Sequence, residues 1–293
     1  MADQLCSTPS LGTGRKCGYG HIMMLHLRTW SFALLLLPLL AFSGTLASPT
    51  AAAAPPHPVV YDALGDSYAS GYGVPPYGPC GRSASAYPEQ LNGRQQIKLD
   101  NFVACAGATT TSLVTDGQLN ALNADTDLVT LTIGGNDIGW SGAVGACLGG
   151  TDAQCAGAIA KARERITTQL PGLLRTVYDQ VAAAAPNAHV AVTGYPELFS
   201  PENGAYLGAS PAEQVALNDG ADLLNDTIAG VAAKTRPVFQ FVDVTPRFVG
   251  HGVNAPDAWI LPPSDPAAFH PNINGYKAYT AAVNSALGPV KLG

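Results

Sequence analysis

Short apolar runs broken by glycine recur along the chain. Val59-Val60-Tyr61 opens the first, and Gly65-Asp66-Ser67 closes it. Valine and tyrosine favour a strand and Gly-Asp-Ser breaks one, so Ser67 is expected at a strand's carboxyl end. Further runs lie at 101–104, 128–133, 189–193 and 238–242, the last three continuous enough for buried parallel strands. Between them the apolar spacing becomes helical. The longest stretch, 156–185, is interrupted at Pro171 and stopped by Pro186. Ser210-Pro211-Ala212-Glu213 reads as a capping box with proline at the first helical position, after which Leu224, Ile228 and Val231 share one helical face. A last helix is expected over 273–287. Strand and helix in alternation predict an α/β fold, a parallel sheet with helices on both faces.

The N-terminal pattern differs. His26-Leu27-Arg28-Thr29 precedes an apolar stretch over 32–42, and Thr45-Leu46-Ala47 offers the small residues of a signal-peptidase site, with a second choice in the alanines at 51–54. Residues 1–47 therefore read as leader and signal peptide, 48–58 as a Pro/Ala-rich linker, and 59–293 as one domain, which predicts a secreted, extracellular protein. The residues before Met23 make the leader unusually long, so Met23 and Met24 are alternative starts. The apolar stretch is short for a membrane span, and the next cysteine, Cys80, is too distant for lipid attachment.

Composition narrows the partners. The chain is 47% hydrophobic and 12% charged, with a net charge of −6, and no basic cluster suggests nucleic acid. Beyond the leader, which holds Cys6 and Cys17, stand Cys80, Cys105, Cys147 and Cys155. In an oxidising compartment they predict two disulfides with three formal connectivities. The preferred pairing is Cys80 with Cys105, tying the loop after Ser67 to the end of the next strand, and Cys147 with Cys155, closing a small loop. The spacing lacks the paired Cys-x-x-Cys knuckles of a zinc site, so neither metal nor cofactor is expected.

Three more stretches carry chemistry. Val103-Ala104-Cys105-Ala106-Gly107 ends the second strand in small residues, which lets backbone amides approach a ligand. Gly134-Gly135-Asn136-Asp137 follows the third strand and brings an amide side chain to the sheet edge. Phe269-His270-Pro271-Asn272 sets a histidine immediately before the last helix. Each alone is ordinary turn or cap chemistry. Together and in this order, with Gly65-Asp66-Ser67-Tyr68, they resemble the SGNH (GDSL) hydrolase family, and especially its secreted actinobacterial lipases and esterases.

That resemblance implies a three-layer αβα sandwich with a mostly five-stranded parallel sheet, flavodoxin-like in order. It implies a serine esterase in which Ser67 attacks an acyl ester and His270 is the base. The backbone N–H groups of Ser67 and Gly107 and the side chain of Asn136 would form the oxyanion hole. Of the other histidines only His251 competes, since His21 and His26 fall in the leader, His57 in the linker and His189 at a strand start. Many relatives carry an Asp three residues before the histidine, where this chain has Ala267. The carbonyl of Ala267 or Ala268 is therefore expected to orient His270, with Asp265 the less favoured candidate. Such relatives often carry three disulfides, so segment 201–254, which holds no cysteine, is expected to be more mobile here.

Gly139-Trp140-Ser141-Gly142-Ala143 begins like a nucleophile elbow but ends in alanine, and Ser141 is read as loop. Asp66 and Asp137 are read as supports of their turns, and the Asn225-Asp226-Thr227 sequon as part of a helix. Tyr68, Tyr72, Tyr77, Trp140 and Trp259 are expected in loops lining an acyl groove. The expected substrate is an ester or lipid, with transient contact to a lipid surface and a monomeric chain. An acetylesterase or acyltransferase would use the same site, and a secreted binding module is the alternative of a different class. Labelling of Ser67 by a serine-directed probe would exclude the module.

Overall fold

The computed structural model describes residues 57–237 and 239–288. The leader and all of the linker except its last two residues lie outside that range, as does Val238. Five strands form one parallel sheet: β1 (Val59–Gly65), β2 (Ile97–Phe102), β3 (Leu128–Thr132), β4 (His189–Thr193) and β5 (Gln240–Val242), in the order β2-β1-β3-β4-β5. The chain leaves β1 for one edge and crosses back to β3, so the order reverses around β1. In such sheets ligands bind beyond the carboxyl ends of the strands at that reversal. The turns after β1 and β3, which carry Ser67 and Asn136, sit there.

The pleat sends alternate side chains into two cores. On one face Tyr61, Ala63, Leu128 and Ala191 meet Tyr87 and Leu91 of α2 (Tyr87–Leu91) and Tyr279 and Val283 of α8 (Ile273–Leu287). On the other, Leu64, Val129, Leu131, Val190 and Val192 meet Leu113 of α3 (Thr110–Thr115), then Leu174, Val177 and Val181 of α6 (Leu170–Ala184), and Leu224 and Ile228 of α7 (Pro211–Ala232). Each such aliphatic side chain contributes about 1.5–3 kcal/mol by leaving water. Hydroxyls inside the first core satisfy one another: Tyr61 with Thr130 at 2.6 Å, Tyr87 with Thr132 at 3.1 Å, and Thr193 with both Thr132 at 2.6 Å and Tyr279 at 3.0 Å.

Several boundaries differ from the sequence reading. The second strand starts at Ile97 rather than 101, because Val59, Val60 and Tyr61 pair with Ile97, Lys98 and Leu99 before a bulge at Tyr61/Asp62. The long helix is two, α5 (Asp152–Thr168) and α6, and the break falls at Gln169, not at Pro171. Proline is tolerated in a first turn, where its missing N–H has no intrahelical partner, so Pro171 starts a helix rather than interrupting one. The last strand pairs with β4 only over Gln240–Val242. Four helices went unread: α1, at Ser67–Ser70, α2, α3 and α4 (Trp140–Gly149). Trp140 and Ser141 therefore lie in a helix rather than a loop, and Tyr68 in the four-residue α1 (Ser67–Ser70).

Segment 201–254 is tied by side-chain amides instead of sulfur. Asn254 accepts from Ser200 N at 2.8 Å and donates to Ser200 O at 2.9 Å, and Asn218 spans Phe199 in the same way.

Candidate active site

The strand β1 ends at Gly65 with φ +135°, where a Cβ would lie 2.4 Å from the carbonyl oxygen of Thr132, so only glycine lets the turn press against β3. Gln118 holds the same peptide from the side, accepting from Gly65 N at 2.8 Å and donating to Gly65 O at 2.9 Å. The next residue, Asp66, caps α1: its carboxylate accepts from Tyr68 N at 2.9 Å, and its own N–H donates to Thr132 O at 2.9 Å. Ser67 is thereby fixed at the first position of a helix, with its N–H donating to no protein acceptor among the described residues.

His270 arrives from the loop before α8. Its Nε2 lies 2.7 Å from Ser67 Oγ, and its Nδ1 lies 3.1 Å from Ala267 O and 3.0 Å from Ala268 O. Carbonyl oxygens only accept, so they assign the proton of a neutral imidazole to Nδ1 and leave Nε2 to accept from the Ser67 hydroxyl. The Asp265 carboxylate accepts from Ala267 N at 2.8 Å, shaping the turn that presents those carbonyls, and its charge acts on the ring through space. Phe269 sits at φ +62°, a strained conformation for an aromatic residue, and the Tyr68 hydroxyl donates to its carbonyl at 2.6 Å. The rings of Tyr68 and Tyr72 flank the imidazole at 5.2 and 5.1 Å. Burial lowers the His270 pKa below its ordinary value, and the two carbonyls and the Asp265 charge offset part of that effect.

Gly107 takes φ +84° with open space where a Cβ would stand, so this glycine is needed for its backbone conformation rather than for room. Its N–H also donates to no protein acceptor among the described residues. Cys80 is joined to Cys105 and Cys147 to Cys155, and Ala106 N donates to Cys80 O at 2.9 Å, which moors the Gly107 turn. Asn136 donates one Nδ2–H to Ala108 O at 2.9 Å. Its neighbour Asp137 accepts from Thr110 N at 3.0 Å and from the Thr110 hydroxyl at 2.6 Å, locking the β3 turn to α3. Ser67, Gly107, Asn136 and His270 line a single cavity.

Residues 63–278 match the model of the GDSL-like Lipase/Acylhydrolase family. A lipase of Streptomyces rimosus is 38% identical over 87% of this chain and 96% of its own length. The crystal structure of an extracellular lipase from that organism superposes with a TM-score of 0.73 at 38% identity, covering 78% of this chain and 99% of the other. Phospholipase A1 from Streptomyces albidoflavus NA297 gives the same score and coverage at 35% identity. The chain belongs to the GDSL-like lipase/acylhydrolase family. It is a carboxylic ester hydrolase.

Within this hydrolase the sequence missed Tyr195. Its hydroxyl donates to Asp66 Oδ2 at 2.5 Å and accepts from Gly135 N at 3.0 Å, which joins the Ser67 turn to the Asn136 turn. Tyr195 is itself clamped by Asn225, whose amide takes Tyr195 N and gives to Tyr195 O, both at 2.8 Å. Asn225 is thus a buried strut within α7. The available signal was position, because Gly194-Tyr195 follows β4 at the same sheet edge. Burial raises the Asp66 carboxyl to about 7, against the lowering effect of the Tyr195 and Tyr68 hydrogen bonds.

The cavity of this hydrolase has a volume of about 420 Å³, and its apolar lining includes Val144, Leu198, Ala221, Leu224 and the Trp140 indole. Tyr68 and Tyr72 line it as expected, but Tyr77 and Trp259 do not. Tyr77 stacks on Tyr72, and Trp259 stacks on His251 at 3.5 Å. His251 bonds Asp257 O at 2.8 Å and does not line the cavity, whereas His270 lines it and reaches Ser67. Arg165, also unread, donates to Ile138 O at 3.2 Å and so fixes the turn into α4. Among the described residues no group of three or more His, Cys, Asp or Glu side chains gathers as a metal ion would require.

Proposed function

We propose that the protein is a secreted lipase or esterase that cleaves acyl esters of medium or long chain, phospholipids included, through an acyl-enzyme on Ser67. The observation that carries this reading is the 2.7 Å contact between Ser67 Oγ and His270 Nε2 at the polar end of a largely apolar cavity. As Ser67 Oγ attacks the ester carbonyl, its proton passes to His270 Nε2. The imidazolium is then held by the Ala267 and Ala268 carbonyls, with Asp265 shaping their turn and adding a through-space attraction. The oxyanion is met by the free N–H groups of Ser67 and Gly107 and by the second Nδ2–H of Asn136. On collapse the imidazolium returns its proton to the leaving alcohol, and water activated by the neutral imidazole releases the acid.

The names of the relatives support lipid esters as substrate: lipase for the Streptomyces rimosus enzyme and phospholipase A1 for that of Streptomyces albidoflavus. The extracellular lipase of Streptomyces rimosus likewise supports export of this chain. On this reading residues 1–47 are removed, 48–58 are a linker, and 59–293 act as a monomer that touches a lipid surface transiently.

Hydrolysis of a p-nitrophenyl ester series from acetyl to palmitoyl, with Ser67→Ala as control, tests the reading. Activity that rises with chain length and is lost in the variant supports it. A maximum at acetyl would reassign the enzyme to small-ester or carbohydrate deacetylation, and equal rates in wild type and variant would remove Ser67.

A further inference from the structure

The indole of Trp140 lies between the cavity and the α7 backbone. Trp140 lines the cavity, whereas Gly220 on α7 does not, and a Cβ built on Gly220 would stand 2.2 Å from Trp140 Cη2 and 2.7 Å from Cζ3. Those separations lie well inside van der Waals contact, so the ring rests directly on a bare turn of helix. The chain neighbouring Trp140 is fixed as well. Arg165 fixes the Ile138 carbonyl two residues before it, Val144 follows one turn later on the same helix, and Ala221 and Leu224 continue the wall on α7. Gly220 in the middle of a 22-residue helix is unfavourable by propensity. Room for the indole is the physical reason for glycine there.

We propose that Trp140, seated against Gly220, is the specificity-determining wall of the acyl cavity and sets the chain length that the enzyme accepts. The inference rests on the acyl-ester reading of the site and deepens it. An acyl tail entering between Ser67 and the apolar wall meets the indole. If the indole stood deeper, the cavity would admit further methylenes, each worth about fourfold in apparent preference. If it stood closer, long tails would be excluded. A methyl group at position 220 is expected to push the ring off α7 and into the cavity it lines, since the far end of a side chain yields before helix backbone does.

The experiment is the p-nitrophenyl ester series, butyryl to palmitoyl, run on wild type, Trp140→Ala, Gly220→Ala and the double variant, with thermal melting of each. Trp140→Ala is expected to raise the palmitoyl-to-butyryl ratio of kcat/KM by about tenfold or more. Gly220→Ala is expected to lower that ratio by a similar factor. In the double variant the methyl has no ring to displace, so its profile should match Trp140→Ala alone. Gly220→Ala acting only as a packing defect would lower all chain lengths uniformly, and Trp140→Ala would then leave the ratio unchanged; either result overturns the proposal while leaving the esterase reading intact. If Gly220→Ala does not fold, the Trp140→Ala ratio decides alone. Absence of hydrolysis by wild type at every chain length overturns the esterase reading itself, and the proposal with it.

Discussion

Asn136 divides one amide between two tasks. One N–H is spent on Ala108 O, which fixes the side chain's orientation, and the other remains for the cavity. Asn136→Ala should therefore lower kcat by about 10²–10³-fold with an unchanged circular dichroism spectrum, as loss of one fixed oxyanion donor does; an unchanged kcat would remove Asn136 from the site. In the proposed mechanism His270 acts as base only when neutral, and burial lowers its pKa. The acidic limb of kcat/KM should therefore lie below pH 6.5, the ordinary imidazole value, and a limb above it would contradict the burial argument. Asp66 titrates in the opposite sense. Its carboxyl is raised to about 7 in the fold but ionises near 3.9 in an unfolded chain, so the folded state holds the extra proton between those values. Its contribution to stability is complete below about pH 4 and declines as pH rises through about 7. Melting temperatures from pH 4 to 8 should show a slope that Asp66→Asn reduces; an identical slope would place the titration elsewhere. Ser67, Gly107, Asn136 and His270 were legible because each sits where a strand or loop ends in a short, ordered motif. Tyr195 was not, because its role depends on Asp66, 129 residues away.

The helices α5 to α8 were legible at the level of elements because their apolar periodicity is long, and most of the strands because they are continuous apolar runs bounded by glycine or polar turns. By contrast α4 was not, for a reason visible in its composition. Trp-Ser-Gly-Ala-Val-Gly-Ala-Cys-Leu-Gly carries three glycines in ten residues, which opposes a helix by propensity. Tertiary structure overrides that tendency: Ala143, Val144 and Cys147 are buried, and the disulfide to Cys155 pins the end of α4 to the start of α5. The glycines themselves are exposed, and Cβ atoms at Gly142 and Gly145 would meet nothing within 4 Å. Gly142→Ala and Gly145→Ala should each stabilise the protein by about 0.5–1 kcal/mol, through the unfolded chain's lost freedom and the better helix. Each should raise the melting temperature by about 1–4 °C in a domain of this size. A fall on either substitution would mean that α4 needs its glycines for movement or for a contact absent from this fold. The short α2 and α3 escaped notice for a different reason, since five or six residues are too few to establish a period.

Across the whole molecule, folding brings together Ser67 and His270 from positions 203 residues apart, and the two disulfides divide the work of holding what lies between. Their loops differ in length, 25 residues from Cys80 to Cys105 and 8 from Cys147 to Cys155. Loop-closure entropy then assigns about 3.5 kcal/mol to the first and about 2.5 kcal/mol to the second. Stability alone separates them poorly; position separates them well. The first bridge lies beside the Gly107 turn, where Ala106 N donates to Cys80 O, so its removal frees the proposed oxyanion donor as well as the unfolded chain. The second lies at the end of α4 away from Asn136, where its removal loosens the helix but no hydrogen-bond donor. Paired serine variants should therefore both melt earlier, while only Cys80→Ser/Cys105→Ser loses kcat, by about tenfold, when both are assayed on p-nitrophenyl butyrate well below their melting temperatures. Equal kcat in the two would mean that the Gly107 turn is held sufficiently by the bonds from Cys105 N to Gly65 O and from Ala108 N to Cys105 O, which need no sulfur. The first disulfide would then be a constraint on the unfolded chain alone.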